Sequence, residues 1–258
     1  MGSRGVASYN ESDHQPPPRA TLPTKFVQGF RLLLKDATES LDPASGKRLR
    51  SCIGVYSFYD YDGEPIYVGQ TSENFGTRVG RHLTGQRSDT LAYRILDPFE
   101  VAEIEFWPTE HLRSDPHKRA KLDAIEYSAY RQAISESKYR AILNEKIPPF
   151  SELVELPPSY RFNLIPDDLR EEREHPDVRI ARRAETLARV SAVAHERGVV
   201  SPGLRRVIVI QAVRLADLAA ARLAYAEGRA RPPANAIDVH ALVGNVLQES
   251  TADDGSDD

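Results

Sequence analysis

Between Ile53 and Asp60 the chain reads IGVYSFYD, a run of β-branched and aromatic residues typical of a strand. Alternate side chains of a strand share a face, which puts Val55, Ser57 and Tyr59 on one side and Tyr56 and Phe58 on the other. The Asp62-Gly63 step that follows is a hairpin signal, and Ile66 to Gly69 supplies the returning strand. Val101 to Trp107 (VAEIEFW) alternates again and predicts a third strand ending at Pro108. Elsewhere the spacing is helical. Phe26 to Glu39 carries Phe26, Phe30, Leu33 and Leu34 on one side behind a Thr24 N-cap. Helices are also predicted from about Asn74 to Leu83 and from Pro116 to Arg140. Later, Val178 to Arg197 ends at Gly198, Ser201-Pro202 opens a helix that stops at Gly228, and Ala236 to Gln248 holds a short third one.

These elements predict an α+β fold: a small three-stranded antiparallel sheet flanked by helices, plus a C-terminal helical region. The expected divisions are a flexible arm over residues 1–22, with Gln15-Pro16-Pro17-Pro18, and a catalytic-sized domain with its preceding helix over 23–150. A proline-rich, irregular connection over 151–176, a helical region over 177–249 and an acidic, disordered tail over 250–258 follow.

Composition changes this picture little. Forty per cent hydrophobic and 28% charged residues are a globular balance, and no apolar run approaches the roughly 20 residues that span a bilayer. A cytoplasmic protein without membrane contact is expected. The single cysteine, Cys52, excludes an internal disulfide and a multi-cysteine zinc site, and reads as a buried strand residue. Arginine outnumbers lysine 27 to 7, a bias that fits a GC-rich bacterial genome. A net charge of −4 does not announce a nucleic-acid binder, but its distribution is uneven. Arg78, Arg81, His82, Arg87 and Arg94 face a single Asp89 over one segment, while residues 170–233 hold 13 arginines against 8 acids.

The chemistry concentrates between Gly54 and His82. Gly54-Val55-Tyr56 is followed after ten residues by Tyr67-Val68-Gly69, then by Arg78 and His82, which share one helix face. Two phenols, a guanidinium and an imidazole directed to one place suit phosphodiester chemistry. Taken singly, tyrosines in a hairpin are sheet residues and Arg78 and Arg81 a solvated basic face. Their joint order is what points to a site.

This order resembles the GIY-YIG nuclease family, with valine for isoleucine in both tripeptides. Arg78-xxx-His82-Leu83 is similar to that family's arginine helix, Glu126 on a later helix to its acidic residue, and Leu143-Asn144 to its closing pair. The resemblance covers roughly residues 50–150. It implies hydrolysis of DNA with one divalent ion, Mg²⁺ with Mn²⁺ as a possible substitute, held by Glu126. It further implies Tyr56 as general base, assisted by Arg78, the metal or His82, with Arg78 clamping phosphate oxygens and Tyr67 and Asn144 positioning water or phosphate. Gln70, Arg81 and Arg87 are the remaining expected substrate contacts, and Gln70 stands where some relatives carry lysine.

The C-terminal helices could bind DNA, mediate a homodimer or a protein contact, or brace the domain. A helix-turn-helix around Gly198 is one reading, but Val207-Ile208-Val209-Ile210 favours burial of the second helix. Histidines 111, 117, 175, 195 and 240 match no zinc spacing, and no glycine-rich phosphate loop is present. The alternative to an endonuclease is a non-catalytic nucleic-acid-binding or interaction protein that keeps the same domain as a platform.

Overall fold

The structure, a computed structural model, describes residues 23–84 and 95–248. The expected N-terminal arm, the acidic tail and Arg87 lie outside the described residues.

Helix α1 (Lys25–Glu39) begins where Thr24 accepts a hydrogen bond from the Val27 amide, and it buries Phe26, Phe30, Leu34 and Ala37. A two-residue hairpin, β1 (Leu41–Asp42) with β2 (Lys47–Arg48), leads into the main sheet. Strands β3 (Gly54–Tyr59) and β4 (Pro65–Thr71) form the expected hairpin. Asp60 shapes its turn by accepting hydrogen bonds from the Asp62 and Glu64 amides, and Gly63 takes the positive φ that the turn requires. Helix α2 (Phe75–Thr84) follows, then β5 (Glu103–Pro108) and the long α3 (Lys118–Glu136).

The sheet has four antiparallel strands in the order β4-β3-β5-β6, which corrects the expected three. The fourth, β6 (Tyr160–Asn163), lies inside the stretch read as irregular and pairs Tyr160 with Phe106 and Phe162 with Ile104. Its side chains alternate between half-buried and exposed, a pattern too short to stand out among prolines. β3 is central and buried along its whole length, so its apolar side chains form the middle of the core. The free edge of β4 is covered by the chain at Leu143-Asn144: the Leu143 amide donates to the Ile66 carbonyl, and the Asn144 side chain bonds both backbone groups of Val68.

The remaining helices are α4 (Asp167–Glu174), α5 (Pro176–Arg197), α6 (Pro202–Ala226) and α7 (Val239–Val243). α5 and α6 pack against each other as a hairpin that turns at Gly198, and Ser201 caps α6 by accepting from the Leu204 amide. α6 buries Leu204, Val207, Ile210 and Val213 together with Gln211 and Arg214. A helix-turn-helix reading fails on this point, because the second helix is packed into the molecule and not offered to a groove.

Part of the arginine surplus of this region is turned inward as well. Arg179, Arg183 and Arg214 converge on a single oxygen of Asp60, at 3.3, 2.9 and 2.7 Å. Arg183 also reaches Glu100, Arg179 reaches Asp62, and Arg182 pairs with Asp97. Arg222 pairs with Asp177 and Arg231 with Asp217. The side chains of Asp60, Arg179, Arg183 and Arg214 are all about 95% or more buried. Arg179, Arg183 and Arg214 join the C-terminal helices to the hairpin end of the sheet. With α6's apolar side and these arginines used internally, the feature that suggested a homodimer is absorbed by the fold.

Candidate active site

Tyr56 stands in the middle of β3, directly opposite Gly69 on β4 and Phe106 on β5. Directly opposed residues share a face, so the Tyr56 ring lies over the α-carbon of Gly69. A Cβ at position 69 would come within 2.7 Å of the Tyr56 hydroxyl and 2.9 Å of the Tyr67 ring. Only glycine leaves that room. Gly54 answers a second constraint: its φ is +152°, and a Cβ there would sit 2.2 Å from the Trp107 carbonyl oxygen. Both tripeptide glycines are therefore demanded by packing around the strand that carries Tyr56.

On the same face, α2 brings His82 against both phenols, with ring centroids 6.1 Å from Tyr56 and 5.5 Å from Tyr67, while the two tyrosine rings are 6.2 Å apart. Phe75, at the start of α2, packs edge-on to Tyr56 and closes the cluster from below. Arg78, one turn before His82, is half-buried beside both tyrosines.

Burial raises the Tyr56 phenol well above its ordinary pKa; nearby Tyr67 adds to the rise, while Arg78 pulls the value down. Tyr67 is raised by the same burial, again opposed by Arg78. The Tyr56 hydroxyl is fully buried and has no hydrogen-bond partner of good geometry among the described residues, and neither has Arg78 Nε. Unpartnered buried polar atoms cost free energy, and where they cluster they mark a place for a ligand or water.

Glu126, half-buried on α3, completes the group from the side of β4. Burial raises its carboxyl to about 7 against the downward pull of the Gln70 amide, and the Asp123 carboxylate adds to the rise. A carboxyl pushed this way gains from a cation that restores its charge. Glu126 supplies oxygen donors near the buried phenol, and Asp123 stands beside Glu126. Among the described residues no three His, Cys, Asp or Glu side chains form a metal cage, so water and phosphate would fill the other positions of an octahedral shell. That donor set fits Mg²⁺ or Mn²⁺.

Residues 52–128 match the family model described as the GIY-YIG catalytic domain. The chain carries a GIY-YIG domain. That family consists of endonucleases, typically dependent on a divalent metal. No curated protein and no solved structure matches the chain.

Within the GIY-YIG domain, Tyr56, Tyr67, Arg78, His82 and Glu126 are brought together. The other expected contacts are arranged differently. Asn144 lies beyond the matched residues and bonds both backbone groups of Val68 with its buried amide, at 3.0 and 2.8 Å, which fixes β4. Gln70 donates to Asp123 and Glu126 instead of facing outward, and Arg81 is paired with Glu73 at 3.2 Å. Asp123 is the residue that sequence reasoning missed. Its position three residues before Glu126 on one helix was the available signal.

Proposed function

We propose that this protein is a metal-dependent endonuclease that hydrolyses DNA phosphodiester bonds, in a restriction, defence, mobility or repair role. The observation that carries the reading is the buried, unpartnered Tyr56 hydroxyl, set among Tyr67, Arg78, His82 and Glu126 in a GIY-YIG domain. A scaffold kept only as a platform has no reason to maintain that arrangement at the cost of an unsatisfied buried phenol.

In this reading the scissile phosphate lies against Arg78, whose fixed charge and planar fork suit the non-bridging oxygens as they gain charge during attack. Water stands at the Tyr56 hydroxyl. Because burial holds the Tyr56 proton, the phenol serves as base in step with loss of its own proton, and His82, whose ring adjoins both phenols, is placed to take it. The water oxygen bonds to phosphorus, one ester bond breaks, and the leaving oxygen takes a proton from solvent water, while the proton held by His82 passes to solvent. Tyr67 adds a second phenol beside the same phosphate, and Glu126 would hold Mg²⁺, with Mn²⁺ as substitute. When bound, the ion would supply positive charge at the phosphate and the leaving oxygen. The arginine-rich, lysine-poor composition and the lone free cysteine suit a bacterial cytoplasm.

Purified protein incubated with plasmid, linear duplex and single strand, with Mg²⁺, with Mn²⁺ and with chelator, tests this directly. Metal-dependent cleavage of DNA that stops with chelator is expected. Binding without cleavage under every condition would favour the non-catalytic platform.

A further inference from the structure

Gln70 sits near the end of β4 with its side chain turned toward α3. Its amide nitrogen carries two hydrogens, and it donates to Asp123 Oδ1 at 2.5 Å and to Glu126 Oε2 at 2.9 Å. Asp123 and Glu126, three residues apart, stand side by side on one face of the helix. One neutral amide thus holds two carboxylates toward a common point and occupies one oxygen of each. The other Asp123 oxygen accepts from Arg119 at 3.1 Å, but Arg119 is 79% exposed and its hold is screened by solvent.

An observation independent of the acids points to a ligand here. The Tyr56 hydroxyl is fully buried between Arg78 and Tyr67 without a hydrogen bond of good geometry to either, and Glu126 is near enough for its charge to bear on it. Glu126 therefore faces the phenol and Arg78 on one side and Asp123 on the other. Magnesium is commonly held by one or two carboxylates with water and phosphate around it.

We propose that Asp123 is a second carboxylate for the divalent cation, and that Gln70 is the positioning residue that keeps Asp123 and Glu126 facing each other. The inference rests on the nuclease reading above. Glutamine suits this position because its amide orients both acids without adding charge.

Binding of Mn²⁺ to the full chain, followed by the electron paramagnetic resonance signal of the free ion, tests this without reference to cleavage, and proton relaxation reports the waters on the bound ion. Asp123→Asn is expected to weaken Mn²⁺ binding by roughly ten- to a hundredfold and to add bound water, with the thermal melt unchanged. Asp123→Glu should retain most of the affinity, Arg119→Ala should leave it at least as tight, and Gln70→Leu, which removes the amide that orients both acids, should weaken it. Glu126→Gln should lose binding. Wild-type affinity and water count in Asp123→Asn, with binding lost in Glu126→Gln, would overturn this proposal and leave the nuclease reading in place. Wild-type binding in Glu126→Gln would overturn the metal assignment of that reading itself.

Discussion

Tyr56 is held where a phenol is least ready to ionise, yet beside the charge best placed to help it. Tyr56→Phe keeps the ring and removes only the hydroxyl, so we expect DNA affinity to stay near wild type while single-turnover cleavage falls on the order of a hundredfold or more. His82→Ala should be milder if His82 only receives the proton, and equal or worse if His82 is itself the base. The pH–rate profiles of the two variants distinguish these cases. Gly69→Ala carries the same argument through packing: the added methyl would press on a buried hydroxyl at 2.7 Å, and cleavage should fall sharply in a protein that still binds DNA. A folded Gly69→Ala protein with full activity would show that the Tyr56 position is not critical. At this scale the sequence was a good guide, because the two tripeptides and the Arg78/His82 spacing each answer a steric or helical constraint. It did not reveal the protein partners of Gln70 and Asn144. Nothing in a linear pattern says whether an amide faces solvent or a neighbouring strand, and both amides turned to protein.

The strand that carries Tyr56 is anchored at its start by Glu110. Its carboxylate accepts from the Ile53 amide, from Lys47 at 2.8 Å and from Arg113 at 2.6 Å. Burial alone would raise this carboxyl, but the bonds from Arg113, Lys47 and Ile53 outweigh it and lower the pKa to about 2. A depressed carboxyl pKa adds stability that is present above the unfolded value of about 4.3 and is lost as pH falls toward the folded value. We therefore expect Glu110→Gln to cost on the order of 1–3 kcal/mol at pH 7, discounted because Lys47 and Arg113 are partly exposed, with the difference shrinking from pH 5 toward pH 2. Denaturant unfolding across that range checks it, and a difference constant with pH would exclude the ionic account. Most elements were legible from periodicity, including α1, the β3–β4 hairpin, α3 and the α5–α6 pair. β6 and the β1–β2 hairpin were not, since strands of four and two residues take their stability from the partner edge more than from their own sequence.

Across the molecule, the C-terminal helices hold the hairpin end of the sheet through the three arginines on Asp60. Pattern reasoning places arginines on the surface, which is why a basic face was expected where a buried ionic cluster is found. Removing one partner of such a cluster leaves uncompensated buried charge, so Asp60→Asn should destabilise the protein by about 3–5 kcal/mol, read from chemical denaturation. A chain ending near Pro158 would lack β6 and all three arginines while keeping Asp60 and Glu100, and it should fail to fold cooperatively. If DNA is held by the catalytic face alone, the salt dependence of binding should be insensitive to exposed α5 changes such as Arg189→Ala, and a shallower salt slope in that variant would show that α5 also touches DNA. The claim on which everything rests is that Arg78 bears on the reacting phosphate. Its most direct test is single-turnover cleavage of plasmid DNA in Mg²⁺ by the wild-type protein and by Arg78→Ala, with matching melting curves for the two. The account predicts metal-dependent cleavage that falls a hundredfold or more in the variant, and a folded Arg78→Ala protein that cleaves at the wild-type rate would contradict it.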